Sequence, residues 1–357
     1  MKSLERSQQF INHSSKIAGY LSKDCGFHIA TEKEYESLHN VIEEEMMELK
    51  KGVEIKYTRR PDLVESFLES QQIPALITDH KNQFLAVINQ MTIGHYGEPK
   101  NIYYNSDLRV SKKAGIRVRI NFRKTYADLI KKIDAECFTV VLKDNQKAIN
   151  ALTKNKSDLF YHPVHEYTSR TILTLPSFSL ISSKLKGVSI VQGRDLAQEN
   201  ERRKSSAFSH DTADHDQYFL IKRGDKTLGS FSLARPVSRS LKVEVKSKYL
   251  RLCLKLANKI FSHNYEEKLP WVYMTSFYLD DETDKAECLK VIMKYLYKHK
   301  KLLAGEIFLF CHSAENFLDL NIKAPEISTN GILYRVTTSV SPVTPLTGPI
   351  YLNPLNL

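Results

Sequence analysis

The fold is decided by residues 101–133, NIYYNSDLRVSKKAGIRVRINFRKTYADLIKKI. An alternating strand ends at Val110, a short basic loop that contains Gly115 follows, and the remainder has helical periodicity. The apolar residues of that helix share one face: Phe122, Tyr126, Leu129, Ile130 and Ile133. A loop that leads into a helix start presents unpaired backbone N–H groups and the positive end of the helix dipole, so the arrangement suits a pyrophosphate.

The elements around this stretch occur twice along the chain. In the first half, residues 75–78 and 83–91 predict a hairpin, and residues 138–142 predict a buried strand that leads into a helix. In the second half, residues 218–236 predict another hairpin, and strand, helix and strand follow in order. An amphipathic insertion helix that ends at residue 261 interrupts this second copy. The sequence therefore predicts an α/β (α+β) fold of two domains, each a mixed, mostly antiparallel sheet flanked by helices.

Residues 106–110, SDLRV, with the loop and helix after them, resemble the fourth strand and acyl-CoA loop of the GNAT superfamily of acyltransferases. The chain as a whole resembles tandem GNAT proteins of the bacterial two-domain type. This resemblance implies an N-terminal GNAT-like domain (27–168) and a degenerate second copy (169–357). Residues 1–26 are expected to form a helical extension with limited contact to the core. The resemblance implies that the acyl-CoA is held by the following residues: Leu108, Val110, Gly115, Ile116, Arg117, Val118, Arg119 and Ile120. Arginines stand where the family has glycines, and their guanidinium groups suit direct contact with phosphate.

Two further positions follow from the same resemblance. Asn145 and Ala148 match a GNAT pair after the fifth strand, so Asn145 is expected to bond the pantetheine arm; a helix cap is the alternative. The usual tyrosine is replaced by Leu152, which leaves Tyr161 or water to protonate the departing thiolate. Asp107 is the candidate general base, and a salt bridge at the sheet edge is its alternative role.

The implied reaction is acyl transfer from acyl-CoA, most simply acetyl-CoA, to an amine-bearing acceptor. The alternative is a catalytically inactive GNAT-fold scaffold, because Leu152 departs from the family and the glycine loop is degraded. Residues 280–284, DDETD, would repel a phosphate, so the second copy is expected to bind no acyl-CoA and to serve packing, dimerisation or the shape of the substrate cleft; a homodimer stays open.

Composition restricts the partners and the compartment. No apolar run approaches the roughly 20 residues that span a bilayer, so we expect no membrane partner and a cytoplasmic protein. A net charge of +11 suits capture of an anionic co-substrate, and without a basic and aromatic stacking motif we expect no nucleic-acid partner. Five scattered cysteines predict reduced thiols and no structural metal, and Pro163 between His162 and His165 argues against a metal pair there.

Overall fold

The structure is a computed structural model, and it describes residues 2–44, 46–50, 53–153, 158–210, 217–238, 240–245, 248–265, 268–280, 283–314, 318–338, 343, 346 and 348–354. Its α-helices are α1 (Lys2–Tyr20), α2 (Tyr35–Glu43), α3 (Glu65–Leu68), α4 (Ile116–Lys132), α5 (Gln146–Thr153), α6 (Leu196–Ser205), α7 (Lys248–Phe261) and α8 (Lys285–Lys298). Short 3₁₀ helices cover Glu32–Glu34 and Pro176–Leu180.

The strands of the first half are β1 (Phe27–Ile29), β2 (Met46–Lys50), β3 (Val53–Thr58), β4 (Ile73–Asp79), β5 (Phe84–His95), β6 (Glu98–Val110), β7 (Cys137–Leu142) and β8 (Phe160–Leu173). Those of the second half are β9 (Val188–Gln192), β10 (Phe208–His210), β11 (Gln217–Arg223), β12 (Lys226–Ala234), β13 (Ser240–Val245), β14 (Trp271–Leu279), β15 (Ile307–Ser313), β16 (Glu326–Thr337) and β17 (Ile350–Tyr351).

Local sequence explains the main helices and hairpins. The apolar face predicted for α4 is buried, and in α8 the Asp284 side chain caps the helix start by accepting the Ala286 and Glu287 N–H groups. The hairpin of β4 with β5 and the hairpin of β11 with β12 are both confirmed by antiparallel pairing. The capping box of Thr31 and Glu34 is present as well.

One continuous sheet runs through both halves in the order β1-β4-β5-β6-β7-β16-β8-β15-β14-β12-β11-β9. The strands β8 and β16 lie at its centre, and the order outward from them is the same on both sides. On each side an antiparallel neighbour comes first, then a parallel pair, β6 with β7 or β14 with β15, and then antiparallel strands. The mixed, mostly antiparallel sheet flanked by helices is therefore confirmed.

The central pair exchanges strands between the halves. Strand β16, from the second half, inserts between β7 and β8 of the first, and β8 in turn pairs with β15 of the second half. From the sequence, residues 152–170 are expected to be a polar segment that closes the first domain; in the structure, residues 160–170 form most of β8. The boundary predicted at residue 168 falls inside the continuous strand β8, and the division into domains stays a prediction.

Helix α1 packs more closely than the sequence suggests. Ile17 is fully buried in the core that lies between α4 and the sheet, and the His13 ring nitrogen Nε2 lies 2.9 Å from the Ile88 carbonyl oxygen. The expected limited contact between this helix and the core is therefore wrong, because one side of α1 covers the first half of the sheet.

The two faces of the sheet carry separate cores in the first half. Phe84, Ala86 and Ile88 point to the cluster that includes Phe122 and Tyr126, whereas Leu85 and Val87 alternate with them along β5 and point to the cluster that includes Phe67. We call these the α4 face and the α3 face. A smaller sheet has the strand order β13-β3-β2, in which β13 of the second half pairs with β3 of the first half. None of the described helices is long and apolar enough to cross a membrane.

Candidate functional site: two clefts at the centre of the sheet

The first cleft opens between β6 and β7. These parallel strands pair only from Tyr103↔Cys137 to Asn105↔Thr139, although β6 continues to Val110 and β7 to Leu142. The edge of residues 106–110 that faces β7 has no strand partner in the part of the chain that the structure describes. Backbone N–H and C=O groups seek hydrogen-bond partners, so this edge can pair with an extended ligand.

A β-bulge at Asp107 explains why the strands separate. The register of β5 with β6 shifts between Val87↔Ser106 and Leu85↔Arg109, so that Asp107 and Leu108 together face a single residue. Asp107 adopts a left-handed φ of 45°, and Leu108 is left 56% exposed. A bulge bends its strand and increases the local twist, which turns the end of β6 away from its neighbour.

A buried ion pair fixes the Asp107 carboxylate on the α3 face. The Arg59 Nη2 and Nε atoms lie 2.6 and 2.9 Å from Asp107 Oδ2, and the two side chains are only 5% and 7% exposed. The Arg59 guanidinium carbon lies 3.6 Å from the centre of the Phe67 ring, and Arg109 approaches the other carboxylate oxygen at 3.5 Å. This geometry matches the salt-bridge role that the sequence leaves open for Asp107.

The mouth of the first cleft is the start of α4. Gly115 is the N-cap and has no side chain that could accept a hydrogen bond from the first turn, and that turn contains no acidic residue. Among the described residues, no non-adjacent heavy atom lies within 4 Å of the position of a Cβ on Gly115, so the loop is open on that side. The exposed Arg117 and Arg119 follow, which adds cationic side chains to the amides of the helix start. Together these groups fit a pyrophosphate.

The acyl-CoA residues predicted at positions 108–120 thus lie at one cleft. Some of them expose their side chains to a ligand, and others offer only backbone groups. Ile116 is 73% and Ile120 47% exposed, whereas Val118 packs against the core of the α4 face and offers only its backbone. Positions 117 and 119 differ by about 200° around a helix, so Arg117 and Arg119 approach a phosphate from different sides.

Asn145 lies at the start of α5, beyond the end of β7. Its Oδ1 accepts the Ala148 N–H at 3.1 Å, so the side chain caps this helix. The cap is the alternative role named for Asn145, and contact with a pantetheine arm stays a prediction.

Tyr161 lies away from the first cleft. It shares one level of the sheet with Tyr103, Cys137 and Val336, three strand spacings or about 14 Å from β6. Its ring packs on the α4 face, and burial raises the pKa of its phenol to about 12. Asp107 points to the α3 face, so the structure does not bring the two predicted catalytic side chains together.

A second cleft opens between β14 and β15. These strands pair from Trp271↔Ile307 to Tyr273↔Leu309 and then separate, and a cavity of 790 Å³ lies beside them. The cavity is lined by residues of both strands, of β8 and of the C-terminal segment, among them Tyr167, Phe277, Lys285, His312 and Ile350. The sequence does not single out this site, because its lining comes from four segments far apart in the chain.

His312 lines the second cleft together with two other basic residues, His165 and Lys285. Its Nδ1 lies 2.8 Å from the Ser313 carbonyl oxygen and must donate to it, so Nε2 carries the lone pair. Nε2 is buried and has no hydrogen-bond partner among the described residues, and burial lowers the pKa of the ring. A neutral imidazole with an available lone pair can accept a hydrogen bond from a bound ligand.

Gly331 lies between the two clefts. Leu142 of β7, Gly331 of β16, Tyr167 of β8 and Ser313 of β15 lie at one level of the sheet. The Tyr167 ring covers Gly331 so closely that a Cβ there would lie 2.3 Å from the ring carbon Cζ. The absence of a side chain at residue 331 therefore sets the position of Tyr167, which lines the second cleft.

The variant Gly331→Ala is expected to destabilise the fold by about 1–3 kcal/mol, because the buried Tyr167 ring must leave its place. The matched control is Gly193→Ala, since no atom lies within 4 Å of a Cβ at that glycine. Urea unfolding of both variants measures the difference. Equal stability of the two variants would show that Tyr167 moves without cost and that Gly331 does not fix it.

No protein-family model and no curated protein matches the sequence. Among solved structures, Saccharomyces cerevisiae N-myristoyltransferase with bound myristoyl-CoA is similar over 94% of this chain and 85% of its own, with a TM-score of 0.51 and 14% identity. A second crystal structure of the same yeast protein with bound myristoyl-CoA gives 94% and 90% coverage, a TM-score of 0.50 and 14% identity. A GCN5-related N-acetyltransferase from Anabaena variabilis aligns over 86% of this chain and 71% of its own, with a TM-score of 0.41 and 11% identity.

The coverage extends across both halves of the sheet, and the strand order repeats on each side of β8 and β16 with a splayed parallel pair in each half. The chain therefore has a tandem GNAT-type fold, similar to that of N-myristoyltransferase.

Proposed function

We propose that this protein transfers an acyl group from acyl-CoA to an amine, with the donor in the first cleft. The observation that carries the proposal is the separation of β6 from β7 at a bulge, directly before an uncapped, basic helix start. A strand edge without a described strand partner and an anion site in succession match a donor that has an amide-rich arm and a pyrophosphate. The yeast structures of the same fold hold myristoyl-CoA, which supports this class of donor.

The pantetheine arm is proposed to pair with the edge of residues 106–110 that faces β7, through backbone groups that include those of Leu108 and Val110. The pyrophosphate then meets the amides at Gly115 and the first turn of α4, together with Arg117 or Arg119. Asn145 lies on the β7 side, where its amide nitrogen is proposed to bond the arm while its oxygen caps α5.

The chemical step requires the acceptor amine to lose a proton and attack the thioester carbon, after which the thiolate leaves. Holding both reactants close together supplies much of the rate, and a backbone N–H of β6 is proposed to polarise the carbonyl. Because Tyr161 lies three strands away from β6, we propose that water protonates the thiolate. Asp107 is the candidate base, but its pairing with Arg59 favours a structural role and removal of the amine proton through water.

The second cleft is the proposed acceptor site. It is separated from the first cleft by β16 and β8, and its cavity of 790 Å³ has both apolar and polar lining. Acetyl-CoA is proposed as the simplest donor. A longer acyl chain is the specific alternative, because the yeast structures hold a myristoyl group.

The donor site is tested by isothermal titration with acetyl-CoA, myristoyl-CoA and desulfo-CoA. We expect micromolar binding of at least one acyl-CoA, and about 100-fold weaker binding by Arg117→Glu, because the change removes a charge-assisted contact and places a carboxylate near the phosphates. The matched control is Arg223→Glu, an exposed arginine at the hairpin of β11 and β12, which is expected to bind as the wild type does.

Failure of every CoA species to bind would refute the acyltransferase proposal for this chain. Binding without transfer to any amine in an acceptor screen would instead support the inactive scaffold. The acyl-CoA that binds more tightly identifies the acyl-chain length of the donor.

A further inference from the structure

We infer that α7 is a docking surface for an anionic membrane. This helix belongs to the insertion of the second half, and neither cleft uses it. It is attached through β13, which pairs along its whole length with β3. With 14 residues it measures about 21 Å, too short to cross the roughly 30 Å of a bilayer core, so the proposed helix lies on the membrane surface.

Three large apolar side chains of α7 face away from the protein. Leu252, Leu256 and Ile260 are 57%, 53% and 70% exposed. Positions four apart in a helix differ by only about 40°, so the three form one continuous stripe. Apolar side chains in a row on the outside of a helix indicate a binding surface, in contrast to single exposed ones.

The opposite side of α7 is anchored to the body of the protein. The Asn258 Oδ1 atom accepts the Tyr265 N–H at 3.1 Å, and the Tyr265 hydroxyl donates to the Gly305 carbonyl at 2.7 Å. Phe261 also lies so close to Gly305 that a Cβ there would be 2.5 Å from it. The stripe is therefore held outward by contacts on the other side of the helix.

The charges of α7 identify the partner as anionic. Its charged side chains are the cations of Lys248, Arg251, Lys255 and Lys259, and it contains no Asp or Glu. At about 100° per residue these cations occupy the sector beside the apolar stripe. A second copy of the chain would bring four like charges against them, which disfavours self-association through this face. Anionic phospholipids offer an apolar phase and negative head groups side by side, the two features that the helix presents.

This inference changes the expectation of no membrane partner. That expectation rests on the lack of a membrane-spanning run, whereas binding to a surface requires only one helix with an apolar face and adjacent cations. It also gives part of the net charge of +11 a role separate from acyl-CoA capture.

Flotation of the full chain with vesicles tests the inference. We expect binding to phosphatidylcholine vesicles that contain phosphatidylserine, no binding to phosphatidylcholine alone, and weaker binding as salt rises. Lys255→Gln with Lys259→Gln is expected to weaken binding by about 25-fold, at about fivefold per cation. Leu252→Gln with Leu256→Gln is expected to abolish it.

Matched controls use equivalent residues on other surfaces. Leu180 is 81% exposed, and Lys186 and Lys226 are exposed lysines, so Leu180→Gln and the pair Lys186→Gln with Lys226→Gln are expected to bind as the wild type does. Circular dichroism melts verify that each variant folds. The inference would be overturned if the wild type does not bind anionic vesicles, or if the α7 variants bind them as the wild type does. Sedimentation velocity tests the other occupant. If the wild type does not bind vesicles but forms a dimer that the Leu252 and Leu256 variant does not form, a second copy is the occupant instead.

Discussion

Lowering the pH from 7 to 5 is expected to reduce the free energy of unfolding by about 4 kcal/mol through two buried histidines. Burial lowers the pKa of His13 to about 4 and that of His210 to about 3, from 6.5 in the unfolded chain. The His13 ring contacts the Ile88 carbonyl, and His210 Nδ1 accepts the Asn353 N–H at 2.8 Å. Both rings are therefore neutral in the fold.

The direction of the pH effect on the free energy of unfolding follows from proton uptake by the unfolded chain. Below pH 6.5 the unfolded chain binds a proton at each histidine while the folded chain does not, so acid favours unfolding. Because both folded-state pKa values lie below 5, the loss at pH 5 is set by the unfolded value of 6.5 and amounts to about 2 kcal/mol for each ring. Burial also lowers the pKa of His39 and His312, which adds to the loss in the same direction.

Urea unfolding at pH 7, 6 and 5 measures the effect. His210→Gln is expected to lose about half of the pH dependence in this window, whereas His299→Gln, at an exposed histidine, is expected to keep it all. An unchanged pH dependence in His210→Gln would show that this ring is protonated in the folded state.

Elements that depend on neighbouring residues were predictable from the sequence. The strand, loop and helix of residues 101–133 lie where the alternation and the helical period place them, as do both hairpins and the buried face of α8. Each of these is fixed by local periodicity, a cap or a turn, which a single sequence contains.

The central strand exchange was not predictable in this way. Pairing of β16 with β7 joins residues almost two hundred positions apart, and no local pattern encodes such a contact. Residues 160–170 read as a closing segment because they are largely polar and contain Pro163. In the structure Pro163 lies where the register of β8 with β16 shifts, a place in a sheet that accepts proline.

The candidate site shows the same difference between residues that are close in the sequence and residues that only the fold brings together. Residues 108–120 could be proposed as a donor site from the sequence, because the loop and helix start are contiguous. Arg59, in contrast, lies 48 positions from its partner Asp107, and the second cleft is assembled from four separate segments. The exposed stripe of α7 had a visible period in the sequence, but periodicity alone does not tell which face of an amphipathic helix is covered. Only the tertiary contacts of Asn258 and Phe261 decide that question.

Asp107→Asn is expected to destabilise the protein by about 3–5 kcal/mol, the largest effect of any single substitution considered for this chain. Asparagine keeps the shape and tolerates the left-handed φ of 45°, so the change removes little besides charge. It leaves Arg59, at 5% side-chain exposure, without its anion and close to Arg109, whose contact with the carboxylate is also lost. Urea unfolding of the variant and the wild type measures the loss.

A double variant separates the structural role of Asp107 from a catalytic one. Arg59→Met with Asp107→Asn removes the buried cation as well and retains an apolar contact with Phe67, so we expect it to regain about half of the lost stability. If Asp107 serves only the ion pair, acyl-CoA binding and release of the CoA thiol in the presence of an amine should return together with stability, which is the outcome we expect. A stable double variant that binds acyl-CoA but transfers at least 100-fold more slowly than the wild type would instead identify Asp107 as the general base. Equal stability of the single and double variants would mean that the buried Arg59 cation, left without its anion, is not the cause of the lost stability.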